Sequence, residues 1–125
     1  MLITEQEVFQ VRDFISQLNS MKDSVVIVEG KKDVNALRLL GFSGNLLQIH
    51  RFRGFIQFAD HVAQYKNVII LFDRDRKGRQ LTRKAVRLLT RRTRVDLSFK
   101  KRLCVITRGQ VVFTEQLRYY APYLS

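Results

Sequence analysis

Two short runs, Ser24-Val25-Val26-Ile27-Val28-Glu29 and Asn67-Val68-Ile69-Ile70-Leu71-Phe72, are almost wholly apolar and rich in β-branched side chains. Runs this short, with no polar alternation, read as strands buried on both faces, and burial on both faces needs helices above and below a parallel sheet. The surrounding sequence supplies those helices. Residues 5–18 place Val8, Val11, Phe14, Ile15 and Leu18 on one helical stripe, with Thr4 as N-cap. Lys31–Leu40 repeats Val34, Leu37 and Leu40 at helical spacing and stops at Gly41. A short strand over Leu46–Ile49 precedes a helix over Phe55–Tyr65 carrying Phe55, Ile56, Phe58, Ala59 and Val62. After Asp73-Arg74-Asp75 and Gly78, a helix is expected over Arg79–Thr90 with Leu81, Ala85 and Leu88 inward, and a fourth strand over Leu103–Thr107. Val111–Tyr120 reads either as a strand leading into a short helix capped by Thr114 or as an edge hairpin. Strands alternating with helices give an α/β class: about four strands, largely parallel, flanked by helices. One domain over 1–125 is expected, with an N-terminal helix (1–22), a sheet core (23–110) and a C-terminal element (111–125).

Composition narrows the function. With 46% hydrophobic and 27% charged residues and a single proline, the chain fits neither disorder nor a repetitive filament. No apolar run reaches the length of a membrane span, and the start MLITEQEVFQ lacks the basic and apolar segments of a signal peptide, so no membrane partner and a cytoplasmic location are expected. Cys104 is alone, which excludes an internal disulfide and agrees with a reducing compartment. The net charge is +12, and its distribution is uneven: residues 1–62 hold seven basic and seven acidic residues, residues 63–125 hold 16 and four. An excess confined to one half points to a polyanionic partner, and nucleic acid is the commonest.

Three acids fall where buried parallel strands end, the edge at which open α/β sheets bind ligands. Glu29 closes the first apolar run; Asp73 and Asp75 follow the second. Two acids separated by one residue can converge on a hard cation such as Mg²⁺, which takes few protein carboxylates and completes its shell with water and phosphate. Taken singly, each acid has another explanation. Asp73 and Asp75 suit helix capping or a turn before Gly78, and Glu29 suits an exposed turn paired with Lys31 or Lys32.

The stretch Val25-Val26-Ile27-Val28-Glu29-Gly30-Lys31-Lys32-Asp33-Val34-Asn35-Ala36-Leu37, followed by Val68-Ile69-Ile70-Leu71-Phe72-Asp73-Arg74-Asp75-Arg76-Lys77-Gly78, resembles the Toprim domain, the catalytic module of topoisomerases, bacterial-type primases and several nucleases. Nearly the whole chain is similar to small stand-alone Toprim proteins and, more distantly, to the ribonuclease that matures 5S ribosomal RNA. The resemblance implies a single Rossmann-like domain, Glu29 as general acid or base, Asp73 and Asp75 as ligands of Mg²⁺ (or Mn²⁺), and Lys31 at phosphate. Thr114-Glu115-Gln116-Leu117 resembles the C-terminal acidic-plus-leucine element of the small proteins, with Gln116 where a second acid is usual.

From Arg74 to Arg102 there are 13 basic residues and two acids. Candidate nucleic-acid contacts are Lys31, Lys32, Arg51, Arg53, Arg74, Arg76, Lys77, Arg79, Arg83, Lys84, Arg87 and Arg91. His50 could touch phosphate or base from the same edge, and Phe52 and Phe55 suit either base stacking or the core. Tyr119, Tyr120 and Tyr123 read as packing residues, because the topoisomerase tyrosine sits on a separate domain in that family. The expected function is Mg²⁺-dependent phosphodiester processing of nucleic acid, RNA favoured over DNA, as a nuclease or RNA-processing factor. The alternative is a non-catalytic RNA-binding protein associated with the ribosome or its RNA.

Overall fold

The two β-branched runs lie side by side. In the computed structural model, which describes residues 2–124, β1 (Ser24–Val28) and β3 (Asn67–Ile70) pair in parallel, Val25 opposite Val68 and Ile27 opposite Ile70. β2 (Leu46–Gln48) adds to the free edge of β1 and β4 (Arg94–Asp96) to that of β3, giving an all-parallel sheet of order β2-β1-β3-β4. The chain leaves β1 in one direction for β2, then crosses back to β3 on the other side. The crevice at that reversal, outside the carboxyl ends of β1 and β3, is where such sheets hold ligands.

The period-2 alternation of strand side chains divides the core in two. Val25, Ile27, Val68, Ile70 and Phe72 face α3 (Phe55–Val62) and α4 (Arg76–Leu89), meeting Phe58, Val62, Ala85 and Leu89. Val26, Val28, Ile69 and Leu71 face the other way. They meet Phe14 of α1 (Glu5–Ser20), Leu37 of α2 (Lys31–Leu39), Phe99 and Leu103 of α5 (Ser98–Ile106), and Leu117 and Tyr120 of a 3-10 helix over Thr114–Tyr120. Each fully buried aliphatic side chain of this kind contributes about 1.5–3 kcal/mol, so both helical layers are held by the strands that also carry the acids. A four-residue helix, α6 (Ala121–Leu124), ends the described chain.

Local chemistry sets the helix ends. The Thr4 hydroxyl accepts the Glu7 N–H at 3.1 Å and caps α1. Gly41, at φ +99°, takes the left-handed conformation that stops α2. α4 starts at Arg76, earlier than the expected Arg79, because Asp75 is its cap. Its buried stripe runs through Ala85 and Leu89, with Leu81 and Leu88 at the margins.

Three expectations are corrected. Leu103–Thr107 is not the fourth strand: Phe99, Leu103 and Ile106 recur at helical spacing and are buried on one side of α5, which ends at Ile106. The fourth strand is Arg94-Val95-Asp96, short and polar as sheet edges commonly are. In the 111–120 segment the expected short helix is present, but no strand leads into it and no hairpin forms. Its 3-10 helix begins at Thr114, whose hydroxyl donates to the Leu71 carbonyl at 2.7 Å instead of capping. Tyr120 is buried as expected, its hydroxyl donating to the buried Glu7 carboxylate at 2.9 Å, but Tyr119 and Tyr123 are 49% and 53% exposed and are not packing residues.

Candidate metal centre

Glu29 immediately follows β1, Asp73 lies just beyond β3, and Asp75 caps α4. One oxygen from each of the three carboxylates lies within 4.8 Å of the other two. Backbone amides fix their orientation. The Asp73 N–H donates to Glu29 Oε2, the Thr114 N–H to Asp73 Oδ1, and the Gly78 N–H to Asp75 Oδ1, each at 2.8 Å. Among the described residues no amide, hydroxyl or cationic donor claims the remaining oxygen of any of the three, and no ion pair involves them. Like charges at this separation repel by on the order of 3 kcal/mol per pair at an effective dielectric of about 20. Three preoriented carboxylates, none of them in an ion pair among the described residues, are a donor set that fits a hard divalent ion.

Glu29 is only 5% exposed, so it is not the solvent-facing partner of Lys31 or Lys32. Burial pushes its pKa up to about 7; the Asp73 N–H opposes that rise and the nearby Asp73 charge adds to it. Behind it, burial raises Asp33 to about 6, while its Oδ2 accepts the Gly30 N–H at 3.1 Å. A carboxyl whose folded pKa is raised stabilises the fold fully below its unfolded value and loses that contribution as pH rises through the folded value. Glu29→Gln is therefore expected to raise the thermal midpoint of the metal-free protein above about pH 7, with the gain shrinking toward pH 4.5. Melting curves of both proteins across that window, in chelator, check this; a gain that grows on acidification would contradict it.

Arg74, expected at phosphate, is used inside the protein. Its Nε donates to the Val111 carbonyl at 3.1 Å, and its terminal nitrogens reach the Gly109 carbonyl and Cys104 Sγ, both at 2.8 Å. Its N–H donates to the Val112 carbonyl at 2.7 Å. Arg74 thus clamps the acidic loop to the 109–112 segment, which leads into Thr114. The other basic candidates are exposed. Lys31 and Lys32 open α2 beside Glu29; Arg51 and Arg53 lie in and just after the 3-10 turn Ile49–Arg51; Arg91 follows α4. Arg76, Lys77 and Arg79 occupy the first turn of α4, with Arg83, Lys84 and Arg87 exposed further along. Cations at a helix N-terminus oppose the helix dipole, so an anion bound there would relieve a local cost. His50 is exposed beside the Glu29–Gly30 turn, its N–H on the Glu29 carbonyl at 3.2 Å. Phe52 and Phe55 pack against Phe58, and Lys84 lies 5.0 Å from the Phe55 ring centroid.

The roles of three residues around the acids escaped the sequence. Asp33 had a local signal, an acid three positions after the helix cap. Thr114 was expected as a cap and in the C-terminal element, but its bond to Asp73, 41 residues away, had no local signal. Lys100 of α5 is half-buried, with Nζ donating to the Thr82 hydroxyl at 2.9 Å; burial lowers its pKa against the pull of the Glu29 and Asp73 charges.

Residues 24–101 match the family model of the Toprim domain. The chain belongs to the Toprim domain family. The matched segment runs from the start of β1 into α5 and includes all three acids. A UPF0292 protein of Archaeoglobus fulgidus is 30% identical over 120 residues, covering 91% of this chain and 94% of the relative. One from Thermococcus sibiricus is 31% identical over 121 residues, covering 96% and 87%. A solved protein structure from Aquifex aeolicus superposes with a TM-score of 0.70 at 25% identity, over 83% of this chain and 94% of that one. Toprim membership associates the chain with metal-dependent nucleic-acid processing, and the acidic cluster of this Toprim domain is a potential metal site. No helix among the described residues is long and apolar enough to cross a membrane.

Proposed function

We propose that this Toprim protein is a Mg²⁺-dependent nuclease or RNA-processing factor, with RNA as its preferred substrate. The observation that carries this reading is the set of three carboxylates, each anchored by a backbone N–H and each bringing one oxygen within 4.8 Å of the others. Asp73 and Asp75, with Glu29, would hold the ion. When bound, it neutralises charge on the phosphate and polarises the scissile phosphodiester. The chain's own groups do the rest. Glu29, buried at the end of β1, would accept a proton from the attacking water or return one to the leaving oxygen. The exposed bases of α4, on a helix about 20 Å long, position the phosphate backbone beside it.

The charge of +12 supports a second reading, a non-catalytic RNA-binding protein associated with the ribosome or its RNA, since tight product binding slows release. Purifying the protein from its own cells at mild salt, sequencing the bound nucleic acid and adding Mg²⁺ decides between them. Cleavage that chelator suppresses supports the nuclease; a discrete RNA that is held and never cut supports the second reading. Under either, Arg83→Ala with Lys84→Ala and Arg87→Ala is expected to weaken binding and lower the slope of log affinity against log salt by about 2–3. An unchanged slope by filter binding would remove α4 from the interface.

A further inference from the structure

The C-terminal element carries a surface that neither the acids nor α4 accounts for. Tyr119 and Tyr123, about half exposed, line one groove of about 630 Å³ together with Ile3, Gln110 and Gln116, within the range of small-ligand sites. Two aromatic faces beside two carboxamides are suited to stacking on an unpaired base and hydrogen-bonding its edge. The Gln110 side chain has no hydrogen-bond partner among the described residues, and Gln116 keeps its Nε2 as a donor while its Oε1 accepts the Val112 and Phe113 N–H groups at 2.8 and 2.9 Å. The groove is therefore tied to the acids: the residue after Phe113 is Thr114, whose N–H holds Asp73. A 3-10 helix rises about 2 Å per residue, which puts Tyr119 about 10 Å along the axis from Thr114, the length of about three stacked nucleotides. The Arg118 guanidinium lies over the Tyr119 ring, 5.2 Å from its centroid, and adds positive charge beside that tyrosine.

We infer that this groove seats unpaired bases of a single-stranded nucleic acid whose backbone reaches the acidic cluster. The inference rests on the nucleic-acid reading above and adds strandedness to it. A duplex keeps its bases stacked and paired, and offers the tyrosines nothing to stack on. Both side chains are exposed, so changing them leaves the core intact.

The test is fluorescence anisotropy of the full chain with a labelled single-stranded oligouridine and a labelled blunt-ended RNA duplex of matched length, in chelator. Tyr119→Leu with Tyr123→Leu is expected to weaken the single strand by at least about tenfold and the duplex by less than about twofold. Tyr119→Phe with Tyr123→Phe keeps the rings and is expected to retain single-strand affinity. If the leucine pair leaves single-strand affinity unchanged, or weakens both probes equally, the groove assignment is overturned. If the tyrosine changes have no effect while the α4 triple variant loses affinity, the nucleic-acid reading survives and only the groove falls. If the wild type binds neither probe, both fall.

Discussion

Asp73→Asn combined with Asp75→Asn is expected to slow Mg²⁺-dependent cleavage by at least about a thousandfold while leaving the fold in place. The substitution is mild for the backbone. Asparagine keeps an oxygen for the Thr114 N–H at position 73 and for the Gly78 N–H at position 75, and it caps a helix as well as aspartate does. Two negative charges facing phosphate are removed, so nucleic-acid affinity in chelator is expected to hold or rise. Single-turnover cleavage and binding, measured side by side with a thermal melt, separate this outcome from simple unfolding. Cleavage at the wild-type rate by a folded double variant would place the chemistry elsewhere.

Gly78→Ala is expected to disrupt the same site from behind. A Cβ at this position would lie 1.9 Å from the Asp73 carbonyl oxygen, a backbone atom that cannot move without taking the Asp73 carboxylate with it. Overpacking of this kind costs typically 1–3 kcal/mol and occasionally more. The expected result is a fall in thermal midpoint on the order of 10 °C, together with loss of cation binding in whatever remains folded. Gly54 is the control, since its Cβ would meet nothing within 4 Å, and Gly54→Ala is expected to melt close to the wild type. Equal melting points for the two variants would mean that α4 does not approach the Asp73 loop this closely.

The sheet centre was legible in the sequence because β1 and β3 are uninterrupted apolar runs, short and β-branched, which together favour strands buried on both faces. The edge was not. β4 is three residues, two of them charged, and Leu103–Thr107 imitates a strand locally while Phe99, four residues earlier, marks it as helical. The acids were legible because they follow those runs directly, and family resemblance assigned them roles. What holds them was not. The Thr114 N–H reaches Asp73 from 41 residues on, and Arg74 reaches the Val111 and Gly109 carbonyls 37 and 35 residues away; no local period encodes such contacts. The two tyrosines show the same limit from the other side. Tyr119 and Tyr120 are adjacent in the chain, yet one is half exposed and the other buried on Glu7.

The central claim is that Glu29, Asp73 and Asp75 together hold a divalent cation. Electron paramagnetic resonance of Mn²⁺ titrated into the protein without nucleic acid, alongside Asp73→Asn, tests it most directly. The account predicts saturable loss of the free-ion signal in the wild type, displacement by excess Mg²⁺, and at least about tenfold weaker binding in the variant. Equal Mn²⁺ uptake by both proteins, or none by a folded wild type up to millimolar ion, would contradict it.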